Sequence, residues 1–297
     1  MALCQARAMR DALRLAHPGL ELEIRVIKTT GDRILDAPLA EIGDKGLFTG
    51  EIEQQLLDGA IDLAVHSHKD LPTQSPEHLE IAAIPARQDP ADVLISKDNL
   101  TLDQLPAGAT VLTGSLRRAA QLRHLRADLN LQDLRGNIHT RLEKLEQSDA
   151  AGLIMSAAAL VRLDLEDRIS ERLEPERFLP ACGQGALALQ IRSDNQRTAE
   201  LLASLDDAAT RTTVTAERAL LAYLEGGCQI PIGAHAVIRD DRLYLRGMIA
   251  SLDGSKFVAD QASGKPQAPA KLGTELAQKL LDQGGKQILD AIRSEAC

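Results

Sequence analysis

Three kinds of side chain in this 297-residue chain stand where they can do chemistry. The first is a thiol. Leu224-Glu225-Gly226-Gly227-Cys228-Gln229-Ile230-Pro231-Ile232-Gly233 leads two glycines into a cysteine, and a proline and a third glycine follow. Glycine admits backbone angles closed to other residues, so the stretch reads as a tight exposed loop holding Cys228 forward. The same pattern also fits a turn whose cysteine merely packs. The second is an acid. Asp70, in Val65-His66-Ser67-His68-Lys69-Asp70-Leu71-Pro72, comes just after a short apolar strand at 62–66. Ligands in open α/β sheets gather at the carboxyl ends of strands, which favours a site here over an ordinary solvated Lys69–Asp70 pair. His66 and His68 lack nearby cysteines or further carboxylates to complete a metal set, so they read as loop histidines.

The third is a run of guanidiniums. The chain holds 24 Arg against 10 Lys, and residues 111–141 contain six Arg, two Asp and no Lys within a protein of net charge -9. Arginine is preferred where carboxylates or phosphates are gripped by two prongs. Thr113-Gly114-Ser115 turns a strand at 109–112 directly into a helix starting near Leu116. Backbone N–H groups make such a helix start an anion site, and Arg117 and Arg118 in its first turn would oppose the helix dipole unless an anion compensates them. The sequence shows no structural reason for that placement. Leu134-Arg135-Gly136-Asn137 leads into Arg141 in the same way, and the strand 152–155 with its small-residue run leads to Arg162. Three such junctions in succession can line one cleft.

The elements that must position these groups are legible from periodicity. A helix at 3–15 has Leu3, Ala6, Met9, Leu13 and Ala16 on one face, and His17-Pro18-Gly19 ends it. Leu20, Leu22, Ile24 and Val26 alternate as a half-buried strand. A glycine-punctuated loop at 42–48, with Lys45, precedes a helix at 49–57. Arg87-Gln88-Asp89-Pro90 and Pro180-Ala181-Cys182-Gly183-Gln184-Gly185-Ala186 read as two crossings between lobes, with strands at 81–84 and 187–191 beside them. A helix at 210–224 delivers the chain to Cys228, and strands at 235–238, 242–249 and 256–260 precede closing helices.

The bulk numbers exclude several classes. An acidic chain with no Trp, two Tyr and three Phe offers neither the charge nor the stacking platforms for nucleic acid. No apolar run approaches the ~20 residues of a membrane span. The arginine-bearing first residues lack the continuous apolar core of a signal peptide, and four widely spaced cysteines suit a reducing compartment, so a cytoplasmic location is expected.

Taken together, the Cys228 loop, the 65–72 segment and the arginine series resemble porphobilinogen deaminase, also called hydroxymethylbilane synthase, in the same order and over nearly the whole chain. The resemblance implies an α/β fold of two periplasmic-binding-protein-like lobes with mixed sheets plus a small C-terminal α+β domain. Lobe 1 would span 1–86 and 186–204, lobe 2 91–180, and the cysteine-bearing domain 208–297. It implies a monomer that condenses four porphobilinogen units, releasing ammonia and hydroxymethylbilane for haem biosynthesis, on a dipyrromethane primer attached covalently to Cys228. By the same resemblance Asp70 is the catalytic carboxylate. Ser67, Lys69, Thr113, Ser115, Arg117 and Arg118 hold the primer's acidic side chains, and Arg135, Arg141, Arg162 and Gln184 bind substrate. Gly114 stands where the family usually has a second hydroxyl residue.

Two rival readings remain at this level: a two-lobed anion-binding module without catalysis, and an acyl-transfer enzyme with Cys228 as nucleophile and His66 as base. The family also begins with a strand and an Arg-x-Ser segment upstream of the helix that opens this chain. The chain therefore reads as a shortened form, expected to be unstable and nearly inactive until that segment is restored.

Overall fold

The computed structural model describes residues 1–29, 49–226 and 230–295. Lys45 and its loop, and Cys228 itself, lie outside the described residues.

Helix α1 (Ala2–Ala16) opens the chain and packs Met9 and Leu13 of the expected face against the core of lobe 1. Gln5 and Leu13 are buried, while Leu3 is 41% exposed. Residues 20–25 alternate in exposure as a half-buried strand would, but Val26 is 72% exposed and no ladder forms there among the described residues. A strand exists only where a neighbour takes its N–H and C=O groups, and alternation alone does not supply one.

Helix α2 (Gly50–Leu57), strand β1 (Ala64–Ser67), a 3-10 turn (His68–Asp70) and strand β2 (Leu79–Ala83) follow. Lobe 2 then begins with β3 (Asp92–Ser96), unanticipated from sequence, and continues with β4 (Thr110–Leu112), α3 (Leu116–Leu125), β5 (Asn130–Gln132) and α4 (Ile138–Gln147). β6 (Gly152–Ser156), α5 (Ala157–Val161) and the short β7 (Glu171–Leu173) complete it. The sheet runs β5-β4-β6-β3-β7. It is mixed: β4 is parallel to β5 and β6, and β3 is antiparallel to β6 and β7. Its strands are apolar on both faces because both are covered. Val93, Leu112, Leu153 and Met155 pack to one side with Leu142 and Leu145, and Leu94, Val111 and Ile154 to the other with Leu122 and Phe178.

The chain then returns to lobe 1 as β8 (Leu187–Arg192), which inserts between β1 and β2, antiparallel to both. The described part of this sheet is therefore wholly antiparallel rather than mixed. Helix α6 (Gln196–Leu202) buries Leu202 with Leu13, Leu189 and Ile191. Helix α7 (Ala208–Tyr223), capped by the Asp207 carboxylate on the Thr210 N–H at 2.7 Å, leads into the last domain. There β9 (Ile232–Arg239), β10 (Arg242–Ala250) and β11 (Phe257–Gly264) form an antiparallel meander. Helix α7 packs on it with α8 (Pro269–Leu280) and α9 (Lys286–Glu295) through Leu220, Leu245, Leu276 and Ile288. Among the described residues no helix is long and apolar enough to cross a membrane.

Candidate active site

β1 ends at Ser67, and the following turn carries Lys69 and Asp70 to the edge of lobe 1. Opposite stand the starts of α3 and α4 and the residues after α5. Between them lies a cavity of about 470 Å³, lined by Gln5, Ser67, Lys69 and Asp70 from one side. Arg118, Arg141 and Arg162 line the other side, with Asn137, His139 and Ser156 among their neighbours. That volume is within the usual range for a small-molecule site.

Asp70 is exposed to this cavity, and its carboxylate makes no hydrogen bond or ion pair among the described residues. Lys69 is half-buried, its ammonium 3.4 Å from Gln184 Oε1. Desolvation lowers the Lys69 pKa, with the Asp70 charge as the chief opposing influence. Arg141 donates from Nε to the Gly136 carbonyl at 2.7 Å, and Arg162 from one terminal nitrogen to the Gly185 carbonyl at 2.6 Å. Neither has a carboxylate partner among the described residues, so each keeps donors for a ligand. Burial lowers both their pKa values, yet a guanidinium keeps its proton.

Arg117 and Arg118 correct the sequence argument. Their compensating anion is part of the chain: Asp92, the first residue of β3, with a fully buried side chain. Arg117 donates to Asp92 Oδ2 at 2.7 Å and to the Leu179 carbonyl at 2.6 Å. Arg118 donates from Nε and a terminal nitrogen to Oδ1 at 2.9 and 2.7 Å, and to the Ile154 carbonyl at 3.3 Å. Burial pushes the Asp92 carboxyl up, but the two guanidiniums outweigh it and hold it well below the usual carboxylate range. Arg117 does not line the cavity. Arg118 does, with two of its five N–H donors unspent. Its role in binding is compatible with its structural one; for Arg117 the structural role accounts for the placement.

Gln184 is likewise redirected. It is 1% exposed, and its amide donates to the Pro90 carbonyl and to Asp92 Oδ1 while its oxygen faces Lys69. It joins Lys69 to the Asp92 cluster rather than lining the cavity. Thr113 is buried, and its hydroxyl accepts from the Ser115 N–H at 3.3 Å. Ser115 caps α3 through the Arg118 N–H at 3.5 Å. Arg135, 4.0 Å from Asp133, also stands off the cavity wall. Gly114 has a physical reason: a Cβ there would lie 2.5 Å from the Leu134 carbonyl oxygen, so the segment after β5 leaves no room for a side chain.

His66 faces away from the cavity into a buried relay, its Nε2 3.0 Å from Gln190 Oε1, whose amide donates to Glu53 at 3.1 Å. That placement does not suit a base for a thiol. Burial pushes the Cys182 thiol up to about 12, so it is no nucleophile either. Gln5, whose amide donates to the Ser67 hydroxyl at 2.8 Å, was missed. The signal was present, a polar residue four before Met9 and eight before Leu13 on one helix face. Asp92 gave none beyond its place after a crossing.

The porphobilinogen deaminase dipyromethane cofactor binding domain matches residues 1–200, and the porphobilinogen deaminase C-terminal domain matches 211–282. A porphobilinogen deaminase from Roseiflexus sp. is 51% identical over 289 residues, covering 97% of this chain and 95% of that one. One from Moorella thermoacetica is 50% identical over 296 residues, covering 100% and 95%. The Bordetella pertussis BvgS VFT2 domain, a solved structure, aligns over 67% of this chain and 76% of its own at 17% identity and a TM-score of 0.39, too loosely to add anything. With one acid facing several cations across a cleft, and the two family models matching residues 1–200 and 211–282, the chain belongs to the porphobilinogen deaminase family.

Proposed function

We propose that the chain is a hydroxymethylbilane synthase, a transferase that joins four porphobilinogen units head to tail and releases ammonia at each step. The observation that carries this reading is the charge pattern of the cleft: one carboxylate, Asp70, without a partner among the described residues, stands beside Lys69 and faces Arg118, Arg141 and Arg162. Porphobilinogen bears an acetate and a propionate, and reacts through loss of ammonia to a cationic pyrrole. A polycarboxylate with a developing positive charge is what this arrangement complements.

The residues also fit a dipyrromethane, which carries the same acidic groups. When bound through Cys228 it would supply the free pyrrole position on which the product grows. Arg118, Lys69 and Ser67 would hold its carboxylates near the turn, with Thr113 and Ser115 shaping the α3 start beside them. Arg141 and Arg162 would receive the incoming unit. Asp70 would offset the developing positive charge and hold or pass the proton exchanged as ammonia leaves and the new bond forms. Within this reading the protein works as a monomer in the cytoplasm.

The test is bilane formation from porphobilinogen, followed alongside intact-protein mass. An adduct on the parent that disappears in Cys228→Ala, together with turnover, supports the reading. A chain that binds porphobilinogen without ammonia release would instead be the non-catalytic anion-binding module.

A further inference from the structure

Helix α7 joins the cysteine-bearing domain to the rest of the molecule, and two consecutive residues near its C-terminal end do so differently. Glu217 is 0% exposed. Its two oxygens accept from both terminal nitrogens of Arg87 at 2.7 and 3.0 Å, from the Gly183 N–H at 2.7 Å and from the Ala236 N–H at 2.8 Å. It thereby ties both crossings to β9. Arg218 reaches the other way. Its terminal nitrogens donate to the carbonyls of His68 and Leu71, each at 3.2 Å, and to the carbonyl of Pro72. It has no carboxylate partner among the described residues. Burial lowers its pKa, and its hydrogen-bond partners among the described residues are all main-chain oxygens.

Those three oxygens bracket Asp70. Among the described residues the other anchors of the turn are the His68 N–H on the Ala186 carbonyl at 3.0 Å, the Leu71 N–H on the His68 carbonyl at 3.4 Å, and the Lys69 ammonium on Gln184 Oε1 at 3.4 Å. The His68 imidazole is 3% exposed and its Nδ1 has no partner, so the side chain contributes no polar tether there. We infer that Arg218 is the positioning residue for Asp70. It fixes the backbone on both sides of the carboxylate from the helix that joins the last domain to the rest of the molecule, so that the acid keeps its place while the product lengthens. The inference rests on the hydroxymethylbilane synthase reading.

The experiment uses the full chain and measures, per molecule carrying the adduct mass, the rate of the first porphobilinogen addition and steady-state kcat and KM. Arg218→Met should lower kcat ~10- to 100-fold, the cost of misplacing a reacting group by about an ångström. KM should change little, and Arg218→Lys should recover part of the loss. The decisive arm is the cycle with Asp70→Asn. If Arg218 acts through Asp70, Arg218→Met costs nothing further when the carboxylate is already gone. A further loss of the same size, or a kcat per adduct-bearing molecule within twofold of the parent, overturns the inference. Should Arg218→Met fail to fold, the Arg218→Lys cycle decides in the same way. A parent that folds but releases no ammonia would sink the functional reading instead.

Discussion

Asp92 and Asp70 stand on the two sides of one cleft and receive opposite treatment. Asp92 is fully buried and matched by two guanidiniums and the Gln184 amide. Asp70 is exposed to the cavity and matched by nothing among the described residues. The first is an acid whose charge has been used to assemble lobe 2, and the second is one whose charge is left for a ligand. Proximity to arginines in sequence does not tell the two apart. What separates them is whether the guanidinium's donors are already committed.

The comparison breaks most visibly at the buried acid. Asp92→Ala leaves two buried guanidiniums unpaired, and should cost about 3–5 kcal/mol of stability. Chemical denaturation should show the midpoint falling, with activity lost because α3 shifts, even though the residue never meets substrate. Asp70→Asn should do the reverse. The denaturation midpoint stays near the parent's while turnover falls ~10²–10⁴-fold. Equal loss of stability in both variants would mean that the two acids do the same job.

The cavity arginines sharpen the contrast. Arg141→Leu removes a guanidinium that holds only one carbonyl, so it should raise KM about 10- to 100-fold, the worth of a charged hydrogen bond, with little change in melting temperature. Substrate titration of the initial rate checks it.

The smallest effect concerns His68, whose buried Nδ1 has no partner among the described residues. Its pKa is pushed down to about 3, first by burial and then by the charges of Arg218, Arg87 and Arg211. The unfolded chain takes that proton near 6.5, so between about pH 6.5 and 3 it binds more protons than the folded one. Stability is therefore whole above that window and falls as pH drops through it, by at most about 1.4 kcal/mol per pH unit. His68→Leu should gain about 1 kcal/mol near neutrality by removing an unsatisfied group. Its melting temperature should also fall less than the parent's between pH 6.5 and 4, before carboxylate protonation takes over.

Much of the frame was legible in the sequence, because periodicity reports burial directly. The helices α2, α3 and α7, the strands of the last domain and both crossings follow from spacing and from Gly, Pro and cap residues. What was not legible depends on partners distant in sequence. Residues 20–26 have the alternation of a strand and lack the neighbour. Arg117 and Arg118 look like an anion site until Asp92, on a strand that begins just past a crossing, is placed beneath them. Gln184, assigned to substrate by resemblance, is the joint between Lys69 and that cluster. Gly114 looked like a missing hydroxyl and is instead a point of close approach to Leu134.

The place of β8 between β1 and β2 also sets an order of events during synthesis. Lobe 2 is one continuous stretch, so its five strands can pair as soon as β7 has been made. Lobe 1 cannot close then, because Ala64 waits for Gln190 and Leu79 for Arg192. Until the ribosome has delivered β8, the edges of β1 and β2 lack their partner strand among the described residues, in the interval when such edges are most prone to mispairing with other chains. Slowing translation across lobe 2 would lengthen that exposure, and crowding nascent chains would punish it. The half of the cleft that holds Asp70 is thus among the last parts of lobe 1 to become secure.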